Sequence, residues 1–227
     1  MKRTLSLLAV LAVAGFAGTP VQAASHYYAS GMGGVSWMED IRIKSTYSSE
    51  NYTDTYRMDP DIALLGAYGW NYGRYRLEGE IGCHRNNFKS LVYSGIDEFG
   101  APYSNTSYPM KGHLSVVSLM ANGYYDIPLG NNIKLYGTAG VGGAQVSYEN
   151  VAQTTQNYNY SVKVSTLACQ IGAGFTKPVA NDVTLDLRYR YFATPDFTVN
   201  WDYKGTDYSN NTRINSHSIL LGLRVGL

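Results

Sequence analysis

The side chains best suited to chemistry are four histidines, two cysteines and scattered serines and carboxylates. His113-x-Ser115 sets a base two residues from a nucleophile, the pair that activates a hydroxyl for acyl transfer. Such a pair needs a third group, an acid, to orient the imidazole, and the sequence identifies none. It is therefore read as non-catalytic, with a lipid-modifying enzyme as the last alternative. Ser216-His217-Ser218 has the same shortage, and His26 and His84 stand alone. No His, Cys, Asp or Glu spacing reads as a metal site, and Asp59-x-Asp61 is too sparse for a calcium loop. Gly137-x-x-Gly140-x-Gly142-Gly143 and Gly172-x-Gly174 lack the following helix that a phosphate cradle needs. Their expected role is to relieve crowding in a strongly curved sheet. No cofactor and no metal are expected.

The charges are more informative than the histidines, because they keep to one strand parity. Arg76, Glu78 and Glu80 alternate with Leu77, Gly79 and Ile81. Asp186, Arg188 and Arg190 alternate with Leu185, Leu187 and Tyr189. Arg224 stands opposite a face of Ile219, Leu221, Leu223, Val225 and Leu227. An arginine facing lipid at mid-membrane costs roughly 2–4 kcal/mol, so the apolar face is the outer one. Arg76, Glu78, Glu80, Asp186, Arg188, Arg190 and Arg224 then share an interior, where charges must pair. That interior reads as an ion-paired plug, with a polar channel lining as the alternative.

The elements that carry these residues follow from period-two alternation. Eight segments show it, at about Tyr27–Met38, Asp61–Tyr72, Tyr75–Asn86, Gly112–Ile127, Ile133–Tyr148, Val164–Lys177, Val183–Phe197 and Arg213–Leu227. Each exceeds the 9–11 residues or so that a tilted strand needs to cross a bilayer. Three gaps are short and hold turn residues: Asn71–Arg74, Pro128–Asn132 and Pro178–Asp182. Four are long: Glu39–Pro60, Asn87–Lys111, Glu149–Lys163 and Thr198–Thr212. Short and long gaps alternate, which predicts a closed antiparallel eight-stranded transmembrane β-barrel, with short periplasmic turns and long extracellular loops. Tyr68, Trp70, Tyr72, Tyr124 and Tyr125 lie near the short turns and are candidates for an interfacial girdle. The parity of the fourth segment is ambiguous, since Leu114, Val116 and Met120 compete with Val117, Leu119 and Ala121. Cys83 and Cys169, on the third and sixth segments, face outward by parity and read as free.

The N-terminus has the layout of an export signal. Lys2 and Arg3 precede an apolar run, Leu5 to Ala17, and Val21-x-Ala23 suits signal peptidase. The run is too short for a spanning helix, which needs about 20 residues. Residues 1–23 are therefore expected as a cleaved signal peptide and 24–227 as one barrel domain. The net charge of +1 and the lack of a basic run argue against nucleic acid as a partner. Expected partners are the outer-membrane bilayer, the barrel-assembly machinery and host or cell-surface molecules, with the chain a monomer.

The long gaps mix tyrosine with Ser, Asn, Thr and Gly, as antibody binding loops do. Tyr52, Tyr56, Tyr103, Tyr108, Tyr158, Tyr160, Tyr203 and Tyr208 are the candidate loop contacts. Asn-x-Ser/Thr triplets, such as Asn51-Tyr52-Thr53, occur in each long gap and are read as chance in such composition.

Three stretches carry a family resemblance: Ser118–Asp126, Leu135–Ala144 and Ser218–Leu227. The chain resembles the opacity-protein-like surface antigens of Gram-negative bacteria, including the rickettsial type, a porin-family group of outer-membrane barrels. The resemblance implies an eight-stranded barrel, outer-membrane residence and a structural or adhesive surface role, with no catalytic residues. A small porin remains the alternative. Leu221, Leu223, Val225 and Leu227 would form the C-terminal assembly signal, although family members commonly end in Phe rather than Leu.

Overall fold

The computed structural model describes residues 26–47, 50–96, 106–154, 160–203 and 206–227. The expected signal peptide lies outside these residues. All regular structure is strand: β1 (Tyr27–Met38), β2 (Ile41–Tyr47), β3 (Glu50–Asp59), β4 (Asp61–Tyr72), β5 (Tyr75–Ile96), β6 (Thr106–Gly130), β7 (Ile133–Gln153), β8 (Tyr160–Ala180), β9 (Val183–Ala193), β10 (Phe197–Tyr203), β11 (Thr206–Thr212) and β12 (Asn215–Gly226). The ladder runs β5, β4, β1, β12, β9, β8, β7, β6, each antiparallel to the next, and β6 pairs in turn with β5. β2 and β3 extend this sheet from β5, while β10 and β11 form a separate hairpin.

The structure departs from the expectation in what joins the strands: the expected long loops are largely strand. Twelve strands are seen among the described residues, because the long gaps are themselves largely strand. β2, β3, β10 and β11 lie within them, and β5, β6, β7 and β8 run 21 to 25 residues. Asn and Ser there are loop signals, but the same stretches are rich in Thr, Tyr and Val, which suit a pleated sheet. Each outer strand also finds an existing ladder to continue. At about 3.3 Å per residue, the 25 residues of β6 cover about 80 Å. Crossing the apolar band uses only about 10 of them.

The short turns are tight. Tyr72 pairs with Tyr75 around Gly73, whose φ of 65° is a glycine conformation. Gly130 pairs with Ile133 around Asn131 and Asn132, both at positive φ, the pattern of a type I′ hairpin. The third turn holds Asp182 at φ 58°. Both ends of the described chain meet on this side: the Leu227 amide donates to the Tyr27 carbonyl.

The outer face carries Leu64, Leu77, Ile81, Leu119, Val141, Leu167, Ile171, Leu187, Ile219 and Leu221, all exposed. Exposed apolar side chains on this scale form a lipid-facing band. Aromatic pairs edge it near the short turns: Tyr27 with Tyr68, Trp70 with Tyr72, Tyr75 with Tyr125. The fourth segment resolves with Leu114, Val116 and Met120 inside and Val117 and Leu119 outside. Tyr124, expected in the girdle, instead points inward and is buried, because neighbours along a strand face opposite sides. Cys83 and Cys169 are both exposed and free, on strands separated by β6 and β7.

Candidate functional site

The interior is layered. Nearest the short turns, Arg76, Glu78, Glu80, Asp186, Arg188, Arg190 and Arg224 are all buried. Alternation on β5, β9 and β12 aims them inward. Arg188 bonds Glu80 at 2.8 Å and lies 3.6 Å from Glu78. Arg224 meets Asp186 at 3.2 Å. Arg76 forks onto Asp126 at 3.0 Å and approaches Glu78 at 3.7 Å.

Neutral groups complete the network. The Tyr28 and Tyr124 hydroxyls both donate to Glu78, and Tyr136 donates to Asp186. Asn122 and Gln170 donate to Glu80. The Arg76 guanidinium lies 4.1 Å from the centre of the Tyr124 ring. Arg190 differs: none of its three nitrogens has an acceptor among the described residues, and it packs over Phe192 at 4.8 Å.

Glycines make the room. A Cβ on Gly69 would collide with the Tyr28 ring, and one on Gly174 with the Tyr136 hydroxyl. Asp126 and the three tyrosines were not foreseen. Asp126 shares the parity of Asn122 and Tyr124, but it stands beside Pro128 in a stretch read as the approach to a turn.

Above the charges the interior turns apolar. Met38, Ile41, Phe88, Leu114, Val116, Val146, Tyr148, Val151, Phe192, Phe197, Val199 and Ile214 form one buried cluster. Several come from the stretches expected as loops. Tyr56, expected as a loop contact, packs against this cluster, its ring edge-on to Phe88 at 6.1 Å. Tyr108 is partly exposed and sits edge-on to Tyr93 at 5.5 Å. The side chains of Tyr52, Tyr160, Tyr203 and Tyr208, and the whole of Tyr103 and Tyr158, lie outside the described residues. Leu221, Leu223 and Leu227 are exposed on the outer side of the C-terminal strand region, with Val225 of the same parity.

Among the described residues the outer wall holds two histidine–carboxylate pairs. His217 contacts Glu39 at 3.3 Å, bonds the Tyr189 hydroxyl and stacks on Trp37. His113 Nε2 lies 2.9 Å from Glu149, its direct cross-strand partner. The acid that sequence spacing failed to supply is thus on the next strand. Counting outward from the Asn131-Asn132 turn sets Asn150 opposite His113, and it is the register shift between Pro128 and Gly130 that brings Glu149 there instead.

This arrangement of lipid-facing band, aromatic edge and charged interior is matched by a family model over residues 6–225, described as the outer membrane protein beta-barrel domain. The chain belongs to this family. Its place is the outer membrane. Outer membrane protein PagN of Salmonella typhimurium is 24% identical over 214 residues, 86% of this chain and 87% of that protein. Neisserial surface protein A is similar in structure, with a TM-score of 0.51 at 16% identity, covering 91% of this chain and 100% of that one. Outer membrane protein OprG of Pseudomonas aeruginosa gives 0.54 at 12%, covering 91% and 98%. At such identities the structures speak for the fold alone, and the fold spans an enzyme too: the Escherichia coli outer membrane protease OmpT gives 0.51.

Proposed function

We propose that this chain is a closed eight-stranded transmembrane barrel with a plugged interior, built to display a folded extension outside the cell. The ring of eight pairings that ends with β5 on β6 supports closure. The paired charges and the apolar cluster above them support a plug, since an eight-stranded interior is only wide enough for side chains. In this reading residues 1–23 direct export, and Leu221, Leu223, Val225 and Leu227 are read by the assembly machinery.

The extension serves as a contact surface for host or neighbouring-cell molecules, in the manner of opacity-type surface antigens. One observation carries this reading. The outer strands pack on an apolar cluster continuous with the barrel interior, so they offer a preorganised surface rather than loops that must be ordered on binding. Display requires no catalysis, cofactor or second protomer. The test compares cell attachment by bacteria expressing the full protein or a barrel with the tip of the β2–β3 hairpin and the β10–β11 hairpin shortened. Both must reach the surface and keep heat-modifiable migration on gels. Attachment should fall with the shortened barrel, and unchanged attachment would remove the adhesive reading.

A further inference from the structure

We propose that His113, Ser115 and Glu149 form a hydrolytic site on the outer wall, acting on carboxylic esters of phosphorylated outer-leaflet lipids. This goes beyond surface display and uses a different part of the molecule. Leu114 and Val116 are fully buried, so His113 and Ser115 between and beside them face outward together. Glu149 bonds the His113 ring at 2.9 Å. A nucleophile, a base and an acid that orients the base are the parts that acyl transfer requires. The Ser115 hydroxyl makes no hydrogen bond to His113 here, and such contacts commonly tighten only when substrate binds.

The local backbone is unusual on both strands. The register shifts between Lys111 and His113, where Gly112 has φ 103°. It shifts again between Tyr148 and Val151, where Asn150 has φ 54°. Both shifts come from one extra residue on β7 at Asn150, so a single bulge adjoins the His113–Glu149 pair, and bulges re-aim side chains beside active sites. An Asn at positive φ is a mild strain that the surroundings must hold. The Asn150 amide is held by the Ser161 hydroxyl at 3.0 Å.

Depth selects the substrate class. Ser115 stands ten residues above Tyr125, and Arg85 ten above Tyr75, the two girdle tyrosines of these strands. Ten residues of tilted strand span the apolar band, about 25 Å. The site therefore sits where the acyl chains of the outer leaflet meet their headgroups. Below it lie Val117, Leu119, Val141 and Leu167, all exposed, as a bed for an acyl chain. Arg85, Ser115, Ser147 and Lys163 stand directly opposite one another in successive strands. Lys163 at one end of this row, and Arg85 at the other, which also lies 3.8 Å from Asp61, stand three strand spacings apart and suit two separate headgroup phosphates rather than one. The Ser147 hydroxyl, opposite Ser115, can donate to the carbonyl oxygen as it gains charge.

The chemistry balances with water alone. Ser115 Oγ attacks the acyl carbonyl, and His113 takes the hydroxyl proton while Glu149 stabilises the imidazolium. The ester C–O bond breaks, His113 returns the proton to the departing alkoxide, and the acyl group stays on Ser115. Water, deprotonated by His113, then releases the fatty acid and restores the serine.

The test uses the full protein refolded in detergent micelles containing either lipopolysaccharide or phosphatidylglycerol, with free fatty acid measured by mass spectrometry. One lipid should release fatty acid, and which one identifies the source of the ester. Ser115→Ala and His113→Ala should each lower release by about a hundredfold or more while keeping heat-modifiable migration. A fluorophosphonate probe should label Ser115 in the unaltered protein. No release from either lipid overturns the proposal, as does release that survives Ser115→Ala. Cell attachment by Ser115→Ala should be unchanged, so failure here and failure of the display reading are separable.

Discussion

Glu80→Gln is the most informative perturbation of the interior. Glu80 is fully buried and accepts from Arg188 at 2.8 Å, Gln170 at 3.1 Å and Asn122 at 3.2 Å. The glutamine has the same shape, so packing is kept and only the charge is lost. Arg188 then keeps Glu78 alone, at 3.6 Å, and Glu78 is already shared with Arg76. Breaking a buried pair by removing one partner costs about 3–5 kcal/mol. That lowers the folded-to-unfolded ratio by roughly a hundred- to several-thousand-fold. The assay is urea unfolding in lipid vesicles, followed by tryptophan fluorescence and by heat-modifiable migration. A companion variant, Glu80→Met with Arg188→Met, removes both charges at similar volume and should recover most of the loss, because apolar replacement of a whole buried pair is often neutral. A Glu80→Gln cost below about 1 kcal/mol, the value of an exposed pair, would refute the reasoning and mean that water fills the interior.

Four further outcomes follow from the same geometry. Gly174→Ala should cost about 1–3 kcal/mol in the urea assay, because its Cβ meets Tyr136 and the Leu187 carbonyl. Gly79→Ala, which meets nothing, should change stability by less than about 0.5 kcal/mol. Burial holds the Asp54 carboxyl above its usual pKa, so Asp54 favours folding below the ordinary carboxylate range and opposes it as pH rises through the raised value. Asp54→Asn should therefore slow amide exchange in β3 at pH 7 and leave it unchanged near pH 3. Cys83 and Cys169 should both react with a lipid-soluble maleimide in vesicles, and non-reducing gels should show no disulfide-dependent shift.

The membrane-spanning part was legible because its constraint is simple. Lipid on one side and a narrow interior on the other force strict alternation, so β1 and β4 match their expected bounds at both ends. The shared parity of seven charges is legible because each is costly on the lipid face, and all seven are buried. Asp126 and the inward tyrosines were less visible, since one acid near a turn and a tyrosine at a strand end suit either face. The outer strands were missed for a different reason. Outside the bilayer the solvated face accepts polar and aromatic side chains alike, so the alternation is weaker, and Thr-, Tyr- and Asn-rich stretches serve as loop or strand according to whether a ladder continues beneath them. The same difficulty hid Glu149, which stands one residue past the expected end of its strand and meets His113 only through the register shift between Pro128 and Gly130.

In the proposed reading the barrel is sealed by its mostly paired charges and apolar cluster, with its activities on the outside. Planar-bilayer recording of the purified, refolded protein tests it most directly. The account predicts a silent bilayer, and Glu80→Gln with the network broken should admit only irregular leak. Steady single-channel steps from the unaltered protein would contradict the plug and make the charged interior a conducting path.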